Sequence, residues 1–214
     1  MTVEDLFHQY ALGKAIDYKS LDENIIKQLV DTIMNDKNSS TARELAILKE
    51  ANYKHLEGKL NYDGFNDNEF AEVKLRNLDT ANPRSKLNGE GNYTDYTWER
   101  FKHHSEDNPA MLVGGFIDGK MIYIFKFKYL SKGFLNRITE RLTSFFGDIT
   151  SVRKPNTFLR SLGFNYSHYK DDAELIYVAP KEVLESNKQY INKELYKRLW
   201  SVTQVGEEGG LLNR

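Results

Sequence analysis

The stretch AMLVGGFIDGKMIYIFKF, residues 110–127, constrains the fold most. Two apolar runs, 110–117 and 120–127, flank Asp118-Gly119. Asp-Gly between such runs is a two-residue hairpin signal. Neither run approaches the ~18 apolar residues of a membrane helix. Helical patterns lie on both sides of this hairpin, so the economical reading is one α/β (α+β) domain with a central mixed sheet flanked by helices.

The helical patterns come first. Leu6, Tyr10, Leu12 and Ile16 give a weak apolar face, and Leu21, Ile25, Ile26, Leu29, Val30 and Ile33 a better one. Thr41-Ala42-Arg43-Glu44 is a capping-box pattern and opens a third helix, expected to end near Gly58. Residues 1–57 therefore read as a helical part. Residues 59–127 read as the core, with strands at 59–63 and 69–76 around Asn66-Asp67-Asn68. The polar stretch 78–93 reads as a long loop, and Thr94 as the cap of a helix to about His104. Residues 128–205 read as further helices and strands: a helix over 134–146, strands near 164–169 and 174–178, and a helix from Pro180 to about Trp200.

With 214 residues, 40% apolar and 29% charged, the chain can bury a sizeable core. It has no cysteine, which excludes disulfides, thiol chemistry and cysteine-bound zinc or iron–sulfur sites. A reducing, cytoplasmic setting is expected, with no membrane. The first residues, MTVEDLFHQY, lack the basic-then-apolar order of a signal peptide. Net charge is −1, but residues 120–160 carry a net +7 and residues 1–36 a net −4. A near-neutral chain with one basic region can hold a polyanion there.

One short stretch carries chemistry. Acid-x-Lys occurs four times, as Asp17-Tyr18-Lys19, Glu57-Gly58-Lys59, Glu72-Val73-Lys74 and Asp118-Gly119-Lys120. Only the third lies inside a convincing strand, with Ala71, Val73 and Leu75 as the core face. A two-residue turn centred at 66–67 or 67–68 puts Asp63 on the face of Glu72 and Lys74, whereas a three-residue turn does not. Two carboxylates and an ammonium then converge. Hard oxygen ligands of that kind suit Mg²⁺, with a water poised beside it. The competing reading is an exposed cross-strand salt bridge, worth about 0–1 kcal/mol.

Asp63, a short gap, then Glu72-x-Lys74 on the next strand resembles the motif of the PD-(D/E)XK nuclease superfamily. The order helix, hairpin with the motif, helix, further strands is similar to its core over roughly residues 41–127. Tyr62 stands where that motif has a proline. The eight-residue gap between the acids is similar to that in type II restriction endonucleases. The resemblance implies a restriction-endonuclease-like fold, an Mg²⁺-dependent endonuclease cutting double-stranded DNA at a specific sequence, and a homodimer. Asp63 and Glu72 would hold the metal, and Lys74 would orient or activate water. A helical acid sometimes completes the metal shell in that superfamily, and Glu44 and Glu57 are the candidates here.

Candidate DNA contacts follow. Arg76 and Asn77 extend the motif strand. Arg84, Lys86 and Asn88 lie in the polar loop, where arginine can address guanine and asparagine adenine. His103 and His104 follow Arg100 and Lys102 at a helix end, without a third soft ligand that would suggest zinc. No GxxxxGK[ST] phosphate loop is present, so no nucleotide cofactor is expected. The rival readings are a structure-specific or repair nuclease on the same core and a non-catalytic DNA-binding protein.

Overall fold

The computed structural model describes Thr2, Leu6 and residues 18–56, 62–83, 85–151 and 157–208. Its strands are β1 (Lys54–His55), β2 (Gly64–Phe65), β3 (Phe70–Leu78), β4 (Gly91–Tyr96), β5 (Ala110–Ile117), β6 (Lys120–Lys128), β7 (Leu159–Phe164) and β8 (Glu174–Val178). Its α-helices are α1 (Glu23–Met34), α2 (Thr41–Glu50), α3 (Trp98–Asp107), α4 (Lys132–Phe146), α5 (Lys181–Ser186) and α6 (Lys193–Glu208). Six strands form one mixed sheet in the order β1-β2-β3-β5-β6-β8, and β4 pairs with β7 as a separate ribbon. Within the six-stranded sheet only β3 and β5 run parallel, joined through α3; the other neighbours are antiparallel. The result is the single α/β domain expected. None of the described helices is long and apolar enough to cross a membrane.

Alternation along β3 splits its side chains between two cores. Ala71 and Val73 join Ala110, Leu112, Phe116 and Ile124 against Ile47 and Leu48 of α2. Glu72 and Lys74 sit beside Met111 and Val113 of β5 on the opposite face. That face holds the larger core, with Phe125 and Phe127 under Phe134, Ile138 and Leu142 of α4 and under Tyr93, Tyr96, Leu162 and Phe164 of the ribbon. Burying one such aromatic contributes about 1.5–3 kcal/mol.

The hairpin of residues 110–127 forms as expected, with Asp118 and Gly119 both at positive φ in the turn. Several boundaries differ. Helix α2 ends at Glu50, not near Gly58, because Asn52 takes a left-handed φ of 61°. The Tyr53 N–H then reaches the Leu48 carbonyl and the Asn52 N–H that of Lys49, closing the helix as a Schellman motif. Residues 57–61, most of the expected strand 59–63, lie outside the described residues, as do those of the first expected helical face apart from Leu6. Thr94 does not cap a helix; it lies in β4, and Thr97 caps α3 by accepting from the Arg100 N–H. The loop after β3 is shorter than 78–93 and is pinned, since Leu87 is fully buried and bridges to Ile191. The first of the two late strands falls at 159–164, followed by a 3-10 turn at Tyr166–His168. The helix after Pro180 breaks after Ser186, where Asn187 turns its side-chain amide back onto the Val183 carbonyl; Asn192 caps a new helix.

Of the basic residues between 120 and 160, Lys126 and Lys128 face Glu69 at the start of β3. Burial works against the Glu69 charge, but hydrogen bonds from Lys126, Lys128 and Tyr53 hold its carboxyl down at about 2. A carboxyl depressed on folding stabilises above its unfolded value, and this is lost as pH falls through the folded one. Glu69→Gln is therefore expected to cost about 1–3 kcal/mol at neutral pH, shrinking as wild type loses stability between about pH 5 and pH 2. Urea melts of both proteins across that range check this.

Candidate active site

The turn that positions the motif is built by Asn66. Its carbonyl oxygen Oδ1 accepts from the Asn68 and Glu69 N–H groups, and its own N–H reaches the Glu69 carbonyl. Asp67-Asn68 is thus the two-residue tip, with Phe65 opposite Phe70 and Gly64 opposite Ala71. One step further, Asp63 comes beside Glu72. The Asp63 N–H donates to the Ala71 carbonyl at 3.0 Å, and its Oδ2 accepts the Val73 N–H at 2.7 Å. The carboxylate is therefore held against the main chain between Glu72 and Lys74.

Lys74 Nζ lies 2.5 Å from Glu72 Oε1. Glu72 is 6% exposed. Burial pushes its carboxyl up; Lys74 opposes this, and the nearby Asp63 charge adds to it. The cover comes from the ribbon. A Cβ on Gly91 would meet Phe164 Cζ at 2.3 Å and Lys74 Cβ at 2.8 Å, so only glycine lets β4 lie this close to the motif strand. Tyr93 follows, with its ring centroid 4.7 Å from Lys74 Nζ and its hydroxyl 3.3 Å from Met111 Sδ. Gly91→Ala is expected to destabilise by about 1–3 kcal/mol through overpacking. Thermal melts check this; an unchanged melting temperature would show that β4 can lift off Lys74 freely.

Behind Tyr93 runs a buried hydrogen-bonded chain. The Tyr96 hydroxyl lies 2.6 Å from His104 Nδ1 and 2.8 Å from the Tyr129 hydroxyl. His104 is 2% exposed. Burial, then the positive charges of Arg100 and Lys74, push its pKa down to about 3, so it stays neutral at ordinary pH. It is an interior group and does not reach DNA from the surface. His103 is on the outside, 3.6 Å from Asp107 and stacked on Tyr62. Tyr62 in turn donates to Asp107 Oδ2 at 2.8 Å, so the residue in the proline position anchors the chain entering Asp63.

No protein-family model matches the chain, and no curated protein matches it. The site therefore rests on its own geometry.

The remaining candidates scatter. Arg76 shares the face of Glu72 and Lys74, but its guanidinium pairs with Glu90 and bonds Ser85 Oγ. Asn77 points to the other face, where its Oδ1 accepts the Gly119 N–H and its amide donates to Asn35. It fastens the hairpin turn to the end of α1. Asn88 is half-buried, its N–H on Glu90 and its carbonyl on the Tyr166 N–H. Lys86 is exposed. Arg84 and Glu57 lie outside the described residues. Glu44 accepts from Ser40 Oγ at 2.5 Å in the first turn of α2.

Sequence reasoning missed Tyr93, Tyr96 and Arg100. Arg100 is exposed, donates to the Thr94 carbonyl at 2.8 Å and lies 5.2 Å over the Tyr96 ring. The alternation Gly91-x-Tyr93 was the available signal for a strand crossing the motif. A cleft of about 860 Å³ opens farther along β3, between Asn35–Ser40 and Asp79–Ala81; Arg76 and Asn77 line it, but none of the three motif residues does.

Asp63 and Glu72 offer two hard carboxylates, and the bonds to Val73 and Lys74 leave Asp63 Oδ1 and Glu72 Oε2 outside them. Among the described residues no group of three or more His, Asp or Glu side chains forms. An ion here would rest on two carboxylates and water, which suits Mg²⁺.

Proposed function

We propose that the chain is an Mg²⁺-dependent type II restriction endonuclease, a homodimer that hydrolyses phosphodiester bonds of double-stranded DNA at a specific sequence. The observation that carries this reading is the juxtaposition of Asp63, Glu72 and Lys74 across one tight turn, with the Lys74 ammonium on the Glu72 carboxylate. The element order supports it: helix α2, the hairpin with the motif, then, after the inserted strand β4, helix α3 and further strands.

Asp63 and Glu72 would hold the ion, which would supply positive charge against a phosphate oxygen and acidify a bound water. The chain's own groups do the rest. Lys74, fixed by Glu72 and Tyr93, orients the attacking water and offsets negative charge as it develops on the phosphate. Tyr93 and Gly91 exclude bulk solvent from the ion pair and so strengthen its field. Water attacks phosphorus in line, the bond to the 3′ oxygen breaks, and the phosphate stays on the 5′ end. A homodimer supplies a second site for the second strand.

One observation favours a second reading. Glu72 is nearly enclosed, as a structural ion pair in a non-catalytic DNA-binding protein would be. Incubating long duplex DNA with the protein, with Mg²⁺ or EDTA, separates the readings. Discrete fragments in Mg²⁺ alone are expected; a smear would indicate a non-specific or repair nuclease, and intact DNA the binding protein.

A further inference from the structure

The polar loop after β3 does not hang free. The Leu87 N–H donates to the Tyr190 carbonyl at 2.8 Å, and the Asn192 N–H donates back to the Leu87 carbonyl at 2.7 Å. This backbone pairing fixes Lys86 against the segment joining α5 to α6. A groove of about 730 Å³ lies there, lined by Lys86, Lys188, Lys193 and Lys197 against a single acid, Glu185. Among the described residues none of these four lysines makes an ion pair. Lys193 and Lys197 are four residues apart on α6, about 6 Å along its axis.

Tyr196 lines the same groove, half-buried and stacked on Trp200 at 5.7 Å with the planes 17° apart. Lys188 lies 5.4 Å over the Tyr196 ring and Lys181 5.5 Å over that of Trp200. The aromatic pair thus holds one groove ammonium, that of Lys188, in place, and Lys181 beside the groove. A second, smaller cavity shares Lys86 and Gln189 with the groove and extends it to Pro83 and Ser85. Ser85 is bonded to Arg76, two residues beyond Lys74 on the same strand face.

We infer that this lysine groove is a second DNA-binding surface, which holds the phosphate backbone of duplex DNA outside the cleavage site. The inference extends the nuclease reading but stands on different residues. Four unpaired cations arranged around a groove, with one end leading towards the motif strand, match a regular polyanion. They carry no base-reading group, so the contact is to backbone and independent of sequence.

The test uses a variant in which Lys86, Lys188, Lys193 and Lys197 are all changed to Gln, compared with wild type and Lys74→Ala. Binding of a labelled duplex is followed by fluorescence anisotropy in Ca²⁺ across salt concentrations. Each lost phosphate contact lowers the slope of log affinity against log salt by ~0.9. The quadruple variant should bind at least tenfold more weakly, with a slope flatter by about 3–4. Lys74→Ala should keep the wild-type slope. Groove-dependent binding without any cleavage by wild type would support this inference while ending the catalytic reading. An unchanged affinity and slope in the folded quadruple variant would overturn it even if wild type cleaves. So would lysine-dependent binding of a single strand with none of the duplex.

Discussion

Lys74→Ala is expected to lower DNA cleavage by roughly 10²–10⁴-fold, the usual range for a lost acid–base or water-positioning group. Duplex binding should persist, because the groove lysines and the surface arginine Arg100 are untouched. The same change has a consequence for stability. Glu72 is buried, and Lys74 is its partner at 2.5 Å. Removing one member of a buried pair costs up to about 3–5 kcal/mol. The carboxyl escapes part of that by taking up a proton, since burial already pushes it up and Lys74 is the group holding it down. A carboxyl raised on folding stabilises below its unfolded value, and this is lost as pH rises through the folded one. The variant should therefore lie closest to wild type at acid pH and fall further below it as pH rises. Urea melts check this. A stability gap that does not change with pH would show that Glu72 is not the group left stranded. Because the variant is best folded at the acid end, cleavage should be compared there as well.

The second large effect concerns Asp63→Asn. Asparagine keeps an acceptor oxygen for the Val73 N–H, so the strand junction should survive and stability move by less than about 1 kcal/mol. It also removes one of the two negative charges that face each other across the turn. If these carboxylates hold a divalent ion, Ca²⁺ at a hundred times its dissociation constant stabilises wild type by about 2.7 kcal/mol. That gain should vanish in Asp63→Asn. Thermal melts with and without Ca²⁺ show it directly. Equal shifts in the two proteins would assign the ion to other residues. Asp63→Ala serves as the structural control, because it loses the Val73 bond as well as the charge.

What the sequence made legible was local. Asp118-Gly119 between two apolar runs gave the central hairpin. Asn66-Asp67-Asn68 marked the turn and left two registers, both with Asp63 on the face of Glu72, because turn chemistry and period-two alternation act over a few residues. The misses are non-local. Strand β4 pairs with β7 far downstream, so the short Gly91-x-Tyr93 alternation had no partner nearby to mark it as sheet; Thr94 then resembled a helix cap although Thr97 was the cap. The cover over Lys74 depends on that pairing, and with it the burial of Glu72. His104 stands among the candidate DNA contacts because its place at the end of α3 is legible in sequence and the Tyr96 and Tyr129 hydroxyls around it are not. The helix end at Asn52 had a clear local signal, an asparagine able to adopt a left-handed φ.

The most direct test is the nicking rate of supercoiled plasmid by wild type and Asp63→Asn at equal concentration, in Mg²⁺ and in EDTA. Nicking by wild type in Mg²⁺ alone, and none above background by a folded Asp63→Asn, is the result expected. Undiminished nicking by Asp63→Asn, nicking in EDTA, or plasmid left intact by wild type in Mg²⁺ would contradict the assignment of Asp63, Glu72 and Lys74 as a metal-dependent nuclease site.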